Sequence, residues 1–239
     1  MTVINPKQYT AKVLIKEAVS SKVTKLTLQY LVPDSMEFIP GQFVNIKCAD
    51  TAFRAYSIAS DYKDSKKLSL LIETGHDGLG SNYVKTLKTN DEVVFIGPSG
   101  KLSLCEPLPE KLYFYATGTG LAPFLAMFYR LIDLSYMGEV RVYVGFRREG
   151  EAFETELLKH FSNSLKSFEV KIYYSQPENI SVPNIGYITQ EIDNNMPTEA
   201  RYYICGHPTM VKDVKEKLVL RGVPEGSIII EGFTKHVTN

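Results

Sequence analysis

From Lys111 onward two periodicities alternate, and that alternation leaves few folds open. Short runs rich in aromatic and β-branched residues, at 112–116, 140–146, 168–174, 202–205 and 228–230, have the length of buried strands. Between them, residues 122–134, 154–161, 189–194 and 209–220 have helical length or helical spacing of apolar positions. Strand, helix, strand repeated in this way predicts an α/β doubly wound parallel sheet of five strands, covered on both faces. Sheets of that kind bind ligands at the carboxyl ends of their strands, where the strand order reverses. If residues 112–116 form the first and central strand, Gly118-Thr119-Gly120-Leu121-Ala122-Pro123 lies at that point.

The first half has a different texture. Residues 9–18, 23–31, 43–47, 53–59, 67–73 and 92–96 read as strands; Thr24, Leu26, Leu28 and Tyr30 share one parity, as on a half-buried strand. Six short strands at this spacing predict a closed or nearly closed antiparallel β-barrel of Greek-key type. One short helix interrupts them, with Ser81 as the expected N-cap and Tyr83, Val84 and Leu87 as its apolar face. Pro107 and Pro109 mark a linker. The chain is therefore expected to be two-domain, residues 1–106 and 107–239.

Composition narrows the function. The 239 residues are 44% hydrophobic and 23% charged with a formal net charge of zero. No broad attraction to nucleic acid is expected from that balance. No apolar run is long enough for a membrane helix, and Met1 to Lys7 lack the apolar core of a signal peptide. The expected location is cytoplasmic, with no membrane and no nucleic acid as partner. Cys48, Cys105 and Cys205 are far apart and form no CxxC pair, and the four histidines are scattered. Neither a disulfide framework nor a metal site is expected; an iron–sulfur cluster normally takes four cysteines.

Five stretches carry chemistry. A strand, a Gly-x-Gly turn and a helix hold phosphate well, because exposed N–H groups and the helix dipole favour negative charge. Pro123 suits a first helical turn, where its missing N–H costs nothing. In Phe53-Arg54-Ala55-Tyr56-Ser57, alternation puts Arg54 and Tyr56 on one face; a guanidinium can fork onto phosphate and a phenol ring can lie against a flat heterocycle. Gly75-His76-Asp77-Gly78-Leu79-Gly80-Ser81 is a second glycine-rich entry to a helix. Cys205-Gly206-His207-Pro208-Thr209-Met210 is a third, and Glu231-Gly232-Phe233 closes the ordered pattern. Each has an ordinary structural explanation when taken alone.

Taken together and in order, they resemble the ferredoxin–NADP reductase superfamily over nearly the whole chain. Arg54, Tyr56 and Ser57 match its R-x-Y-[ST] motif, and Gly78 and Ser81, with Gly80 between, its G-x-x-[ST] turn. Gly97, Pro98 and Gly100 match a G-P-x-G turn; Gly118, Thr119, Gly120 and Pro123 match G-T-G-x-x-P. Cys205, Gly206, Pro208 and Met210 match C-G-x-P-x-M, and Glu231 and Phe233 the acidic–aromatic ending.

The resemblance implies a flavin-binding barrel followed by an NAD(P)-binding sheet, with no iron–sulfur domain. The cofactor would be FAD rather than FMN, with NADH or NADPH as co-substrate. Arg54 would pair with flavin phosphate, Ala55 would flank it, Tyr56 would stack on the isoalloxazine, and Ser57 would hydrogen-bond its reactive edge. Leu71, Ile72 and Thr74 would line the ribityl region through their backbone, and Gly78, Gly80 and Ser81 would hold the pyrophosphate. Gly118, Thr119, Gly120 and Pro123 would hold the pyridine nucleotide, together with Gly206, Pro208 and Met210. Cys205 would line the nicotinamide pocket, Glu231 would tune its electrostatics, and Phe233 would cover the other flavin face. Ser57, Cys205 and Glu231 are the expected catalytic residues.

Near the nucleotide's 2′-position the candidates are Arg147, Arg148, Ser175 and Gln176. Ser175 is followed by Gln176 and Gly186 by Tyr187 where NADPH-using relatives often carry arginine, a pattern that leans to NADH. The implied activity is an NAD(P)H-dependent flavin oxidoreductase passing electrons to ferredoxin, flavodoxin or an oxygenase component, as a monomer or homodimer. The alternative is a non-catalytic electron-transfer or dinucleotide-sensing subunit.

Overall fold

The computed structural model describes residues 4–232. The chain divides into two compact units. One holds the residues up to Leu104 together with Ala122–Asp133; the other holds Cys105–Leu121 and the residues from Leu134 on.

The first unit is built on six strands: β1 (Lys7–Ala18), β2 (Val23–Val32), β3 (Phe43–Ala49), β4 (Ala52–Ser57), β5 (Lys67–Glu73) and β6 (Glu92–Ser99). They form one antiparallel curled sheet in the order β4-β3-β6-β1-β2-β5. A bridge between Ile58 and Leu70 and a bond from the Ala59 N–H to the Ser69 carbonyl (2.8 Å) draw the β4 and β5 edges together. Leu26 and Leu28, on the parity the sequence marks, are completely buried, and so are Ala11 and Val13, Val44 and Ile46, Leu68 and Leu70, and Val93 and Phe95. Burial of such side chains contributes roughly 1.5–3 kcal/mol each before the chain's entropy is set against it.

β6 runs three residues past the expected Ile96, taking in Gly97, Pro98 and Ser99. Its pairing with β3 slips there: Asn45 faces Ile96 but Phe43 faces Ser99. The extra residue is a bulge, the position in a sheet that tolerates a proline with no N–H to give. The matched G-P-x-G segment thus begins within a strand.

The expected helix α1 spans Leu79–Thr86. Its N-cap is Gly78, with extended backbone and no side-chain cap, so the reading of Ser81 as N-cap is corrected. Ser81 is the third helical residue, and its hydroxyl instead donates to the Glu73 carbonyl at 2.9 Å. A second helix, α2 (Ala122–Asp133), belongs to the same unit. Ala126 enters the barrel core. Near the helix end, Tyr62 donates to Asp133 Oδ2 at 2.6 Å, Arg130 Nη1 donates to the Tyr62 hydroxyl at 3.0 Å, and Lys63 pairs with Asp133.

The second unit is a five-stranded parallel sheet of β7 (Lys111–Thr117), β8 (Glu139–Phe146), β9 (Phe168–Tyr174), β10 (Arg201–Gly206) and β11 (Ile228–Gly232), in the order β11-β10-β7-β8-β9. β7 is first in sequence and central in space. The chain builds outward through β8 and β9 and then returns to β7's other side as β10. The order therefore reverses between β7 and β10, the place where such sheets bind ligands. Helices α3 (Thr155–Ser164) and α4 (Pro208–Leu220) complete the unit.

The helix expected at residues 189–194 is a single 3-10 turn, Ile188–Glu191. Ile188 and Ile192 are both buried in the core, and the Asp193 carboxylate accepts the Asn195 N–H at 2.8 Å. A side chain that satisfies nearby backbone in this way competes with helix propagation. The core beside this turn is faced by Tyr113, Tyr115, Tyr143, Tyr173 and Tyr202. Tyr202 donates to the Pro197 carbonyl (2.6 Å), Tyr113 to Glu139 (3.2 Å) and Tyr173 to Glu191. Large rings supply apolar area while a polar tip reaches a partner.

Candidate functional site

In the first unit, three separate stretches of sequence meet. Arg54 and Tyr56 lie on one face of β4, opposite Ile46 and Val44 of β3, while Ala55 is exposed on the other face. α1 brings Gly80 against them. A Cβ on Gly80 would stand 2.0 Å from the Tyr56 hydroxyl and 3.2 Å from Arg54 Cγ. The absence of a side chain at Gly80 is what lets helix and strand approach. The Tyr56 phenol is held well above its ordinary pKa, chiefly by burial and then by Cys48, against the opposing pull of Arg54; it stays neutral. Arg54 Nη1 donates to its neighbour Phe53's carbonyl at 2.8 Å.

Ser57 ends β4. It is 3% exposed, and its hydroxyl has no hydrogen-bond partner. A buried polar atom left so costs roughly 1–3 kcal/mol and calls for a partner; the Tyr30 and Tyr115 hydroxyls share this state within the cores. The flavin group implied by the resemblance fits this set. It needs a cation for phosphate, a ring for its tricycle, a hydroxyl for its polar edge and N–H groups for its pyrophosphate. The N–H groups of Leu79, Gly80 and Ser81 open α1 without an acceptor inside the helix. Ile72 turns its side chain into the barrel core, while Leu71, on the other face of β5, is also buried. Thr74 is engaged at both ends, its N–H on the Lys22 carbonyl (2.7 Å) and its hydroxyl with Thr24 (2.9 Å).

In the second unit the site is built at the carboxyl ends of β7 and β10. Gly118–Leu121 forms a 3-10 turn that leads to Ala122 and Pro123, the first two residues of α2. Its two glycines differ. Gly118 has φ +52° and nothing within 4 Å of a would-be Cβ, so it borders open space. Gly120 is pressed onto the β10 backbone, where a Cβ would stand 2.2 Å from the Cys205 carbonyl oxygen. Thr119, between them, is half-buried.

β10 ends in Gly206 at φ +143°, packed on Thr117. The Thr117 hydroxyl accepts the His207 N–H at 2.9 Å, tying the two strand ends together. Thr117 is a residue that sequence reasoning missed, since nothing local links it to a turn 90 positions away. His207 is the N-cap of α4, its Nδ1 accepting the Thr209 N–H (3.3 Å), and Pro208 is the first helical residue. Met210 packs on the tyrosine-faced core.

Cys205 is fully buried and paired in register with Glu231. Burial, and then the Glu231 charge, push its thiol well above the usual range. A protonated thiol is a compact wall and a poor nucleophile. Cys48 is also raised, to about 11, mainly by burial. Only a thiolate alkylates readily, so iodoacetamide at pH 8 should label the half-buried Cys105 first. Cys48 and Cys205 should lag at least tenfold, as read by mass spectrometry of the folded protein; labelling of Cys205 at the rate of Cys105 would contradict this burial. Phe233 lies outside the described residues. Arg147, Arg148, Ser175 and Gln176 lie together beyond the carboxyl ends of β8 and β9. Among the described residues no cluster of His, Cys, Asp or Glu is arranged to hold a metal ion.

Known proteins match both units. Residues 10–104 match the family model for an oxidoreductase FAD-binding domain, and residues 114–216 that for an oxidoreductase NAD-binding domain. The chain is 29% identical over 229 residues to the toluate 1,2-dioxygenase electron transfer component of Pseudomonas putida, covering 94% of this chain and 67% of that one. It is 28% identical over 207 residues to the anthranilate 1,2-dioxygenase electron transfer component of Acinetobacter baylyi, covering 85% and 60%.

The fold matches the Amycolatopsis cytochrome P450 reductase GcoB with a TM-score of 0.86 at 22% identity, over 96% of this chain and 70% of that one. It also matches a Neisseria gonorrhoeae ferredoxin NADP+ reductase with bound FAD and NADP, with a TM-score of 0.80 at 23% identity, over 95% and 98%. No helix among the described residues is long and apolar enough to cross a membrane. With both family models in sequence and the two-unit fold in place, the chain belongs to the ferredoxin–NADP reductase superfamily and carries its oxidoreductase FAD-binding and NAD-binding domains.

Proposed function

We propose that the protein is the reductase of an oxygenase system, drawing electrons from a reduced pyridine nucleotide and delivering them to an oxygenase component or its ferredoxin. Residues 1–106 carry the FAD and residues 107–239 the nucleotide. The relatives named above support the acceptor class, being called electron transfer components of dioxygenases. The chain spans 60–67% of the length of those two relatives, so their complete activities are carried over only as this proposal. Three free cysteines, two of them buried, suit a reducing cytoplasm.

The observation that carries the reading is the convergence of Arg54, Tyr56 and Gly80 beside the unpartnered Ser57 hydroxyl. Bound FAD would supply the redox chemistry, accepting a hydride equivalent and releasing its electrons singly or in pairs. The chain's own residues bind and orient. Arg54 holds phosphate with a charge-assisted bond. Tyr56, neutral and half-buried, offers a flat face. Ser57 places one hydroxyl at the ring's polar edge. On the nucleotide side, Gly118 leaves room for close approach, the Thr117–His207 bond holds the turn's shape, and buried Cys205 stands in register with Glu231 of β11. Transfer between two rings requires near-attack geometry more than an acid–base pair.

Arg54→Ala should weaken FAD about 10- to 100-fold, since a hydrogen bond to a charged group is worth roughly 1.5–3 kcal/mol. Fluorescence titration of the apoprotein with FAD reads this directly; unchanged affinity removes Arg54 from the phosphate site. The functional test is anaerobic mixing with NADH or NADPH, then with a ferredoxin, a flavodoxin or an oxygenase component. Bleaching of the flavin followed by reoxidation on one of these acceptors is expected. A protein that binds both cofactors but never turns over with natural or artificial acceptors is a sensing subunit instead.

A further inference from the structure

Helix α1 is eight residues long, too short to hold its shape in water without help from the rest of the fold. The carbonyls that its last turn leaves open find partners one by one. The Tyr83 carbonyl accepts the Thr86 hydroxyl at 2.7 Å, and the Val84 carbonyl accepts the Leu87 N–H at 3.3 Å. The next two bonds come from β1, 69 and 71 positions earlier in the chain. Lys16 donates its ammonium to the Lys85 carbonyl at 2.8 Å and to the carbonyl of the C-cap, Leu87, at 2.7 Å. A cation placed there also meets the negative end of the helix dipole.

Lys16 can do this because of where β1 is left open. β1 pairs with β6 only as far as Lys12, while its pairing with β2 runs on to Ala18. Beyond Lys12 the exit from α1 takes the place of β6: Val13 donates to the Asp91 carbonyl at 2.9 Å and accepts the Asn90 N–H at 2.8 Å. Those two bonds fix the turn after the helix, and the Lys16 ammonium fixes the end of the helix itself. The other side-chain tethers act elsewhere. Lys85 reaches back to the His76 carbonyl at 3.3 Å and to Asp77 at 3.4 Å, long contacts on an exposed loop. Ser81, through the Glu73 carbonyl, holds the start of the helix.

We propose that Lys16 is a positioning residue for FAD: by fixing the C-terminal end of α1 against β1, it sets where the N–H groups of Leu79, Gly80 and Ser81 stand at the other end. This rests on the reading that those N–H groups hold the FAD pyrophosphate. Lys16 does not touch the cofactor, and its charge does not reach it. A helix of eight residues is about 12 Å long, more than the screening length of about 8 Å in physiological salt. The ammonium therefore acts on the phosphates through the placement of the helix. Losing it frees the last turn to fray or tilt, and the N–H row at the first turn moves with the helix axis.

The test titrates the full-length apoprotein with FAD and with riboflavin, which carries the same ring system and no phosphate, following flavin fluorescence. Lys16→Met keeps the aliphatic stem and removes the donors. Its Kd for FAD should rise about tenfold, as for the loss of one N–H bond to phosphate, while its Kd for riboflavin stays within about twofold of wild type. The variant-to-wild-type ratio for FAD should be the same at low and at high salt, because screening removes effects of charge and leaves those of placement. Lys16→Arg, whose guanidinium can also bridge two carbonyls, should restore FAD to within about threefold. Lys16→Gln cannot supply both bonds with a charge and carries the same expectation as Lys16→Met should that variant fold poorly. A Kd for FAD within twofold of wild type overturns the inference, as does an equal loss of FAD and riboflavin. A wild-type apoprotein that binds no FAD refutes the flavin reading itself, whereas FAD binding that Lys16→Met leaves intact refutes only this inference.

Discussion

Gly120→Val is expected to destabilise the second unit and to impair reduction by NADH and NADPH, because the turn can no longer sit against β10. The added Cβ would lie 2.2 Å from the Cys205 carbonyl oxygen, 2.5 Å from its carbon and 2.7 Å from Gly206 Cα. All three are backbone atoms of β10, which is hydrogen-bonded to β7 on one side and β11 on the other. None can step aside without breaking a ladder, and valine adds two methyl groups beyond the Cβ. Overpacking of this kind costs about 3 kcal/mol or more, which lowers the melting temperature of a unit this size by roughly 10 °C. Circular dichroism melts of the apoprotein read it. Gly118→Ala is the control: its Cβ meets nothing, so only the positive φ is penalised, by about 1 kcal/mol. A Gly120→Val protein melting within 3 °C of wild type would mean that the close packing of turn and strand is not what the glycine is for.

Gly80→Ala should do the opposite, sparing the fold and costing the cofactor. Its Cβ would collide with the Tyr56 hydroxyl at 2.0 Å and press on Arg54 Cγ at 3.2 Å. Both are parts of side chains that can swing. Inside α1 an alanine is also a better helix former than glycine by about 1 kcal/mol. The melting temperature of the apoprotein should therefore hold or rise slightly. FAD affinity should fall about 100-fold, because the ring platform and the guanidinium are displaced together; a charge-assisted bond and a ring contact sum to roughly 3 kcal/mol. Fluorescence titration gives the affinity and a melt gives the stability. Affinity within threefold of wild type would show that Tyr56 and Arg54 can hold their places despite the added methyl, and the convergence at Gly80 would lose its meaning.

Much of the fold is legible in the sequence because the two halves carry different periods. Parity along residues 24–30 predicts which side chains of β2 point inward, and Leu26, Leu28 and Tyr30 do. The apolar run of β7 and the Gly-Pro signature after it predict strand, turn and helix, and the structure has them in that order. Errors fell where local pattern competes with local hydrogen bonding. Ser81 reads as a cap by residue type, yet the chain enters α1 one turn earlier, through Gly78. Residues 189–194 have helical spacing, yet two buried isoleucines and the Asp193 side chain hold that segment to one tight turn. Pro98 reads as a turn residue but sits in a bulge of β6.

The sequence by itself determined the class of both units, the order of their strands along the chain and the residue types offered to phosphate and flavin. These follow from periodicity and side-chain chemistry, which are local. Only the tertiary structure decided which of those residues meet. Gly80 lies against Arg54 and Tyr56, Gly120 lies against Cys205, the Thr117 hydroxyl takes the His207 N–H, and Glu149 takes the N–H groups of Glu178 and Asn179. Each of these joins residues 24 or more positions apart. Such contacts depend on sheet order, register and the few-tenths-of-an-ångström fit of packed backbone, which the one-dimensional pattern of apolar and polar residues does not encode.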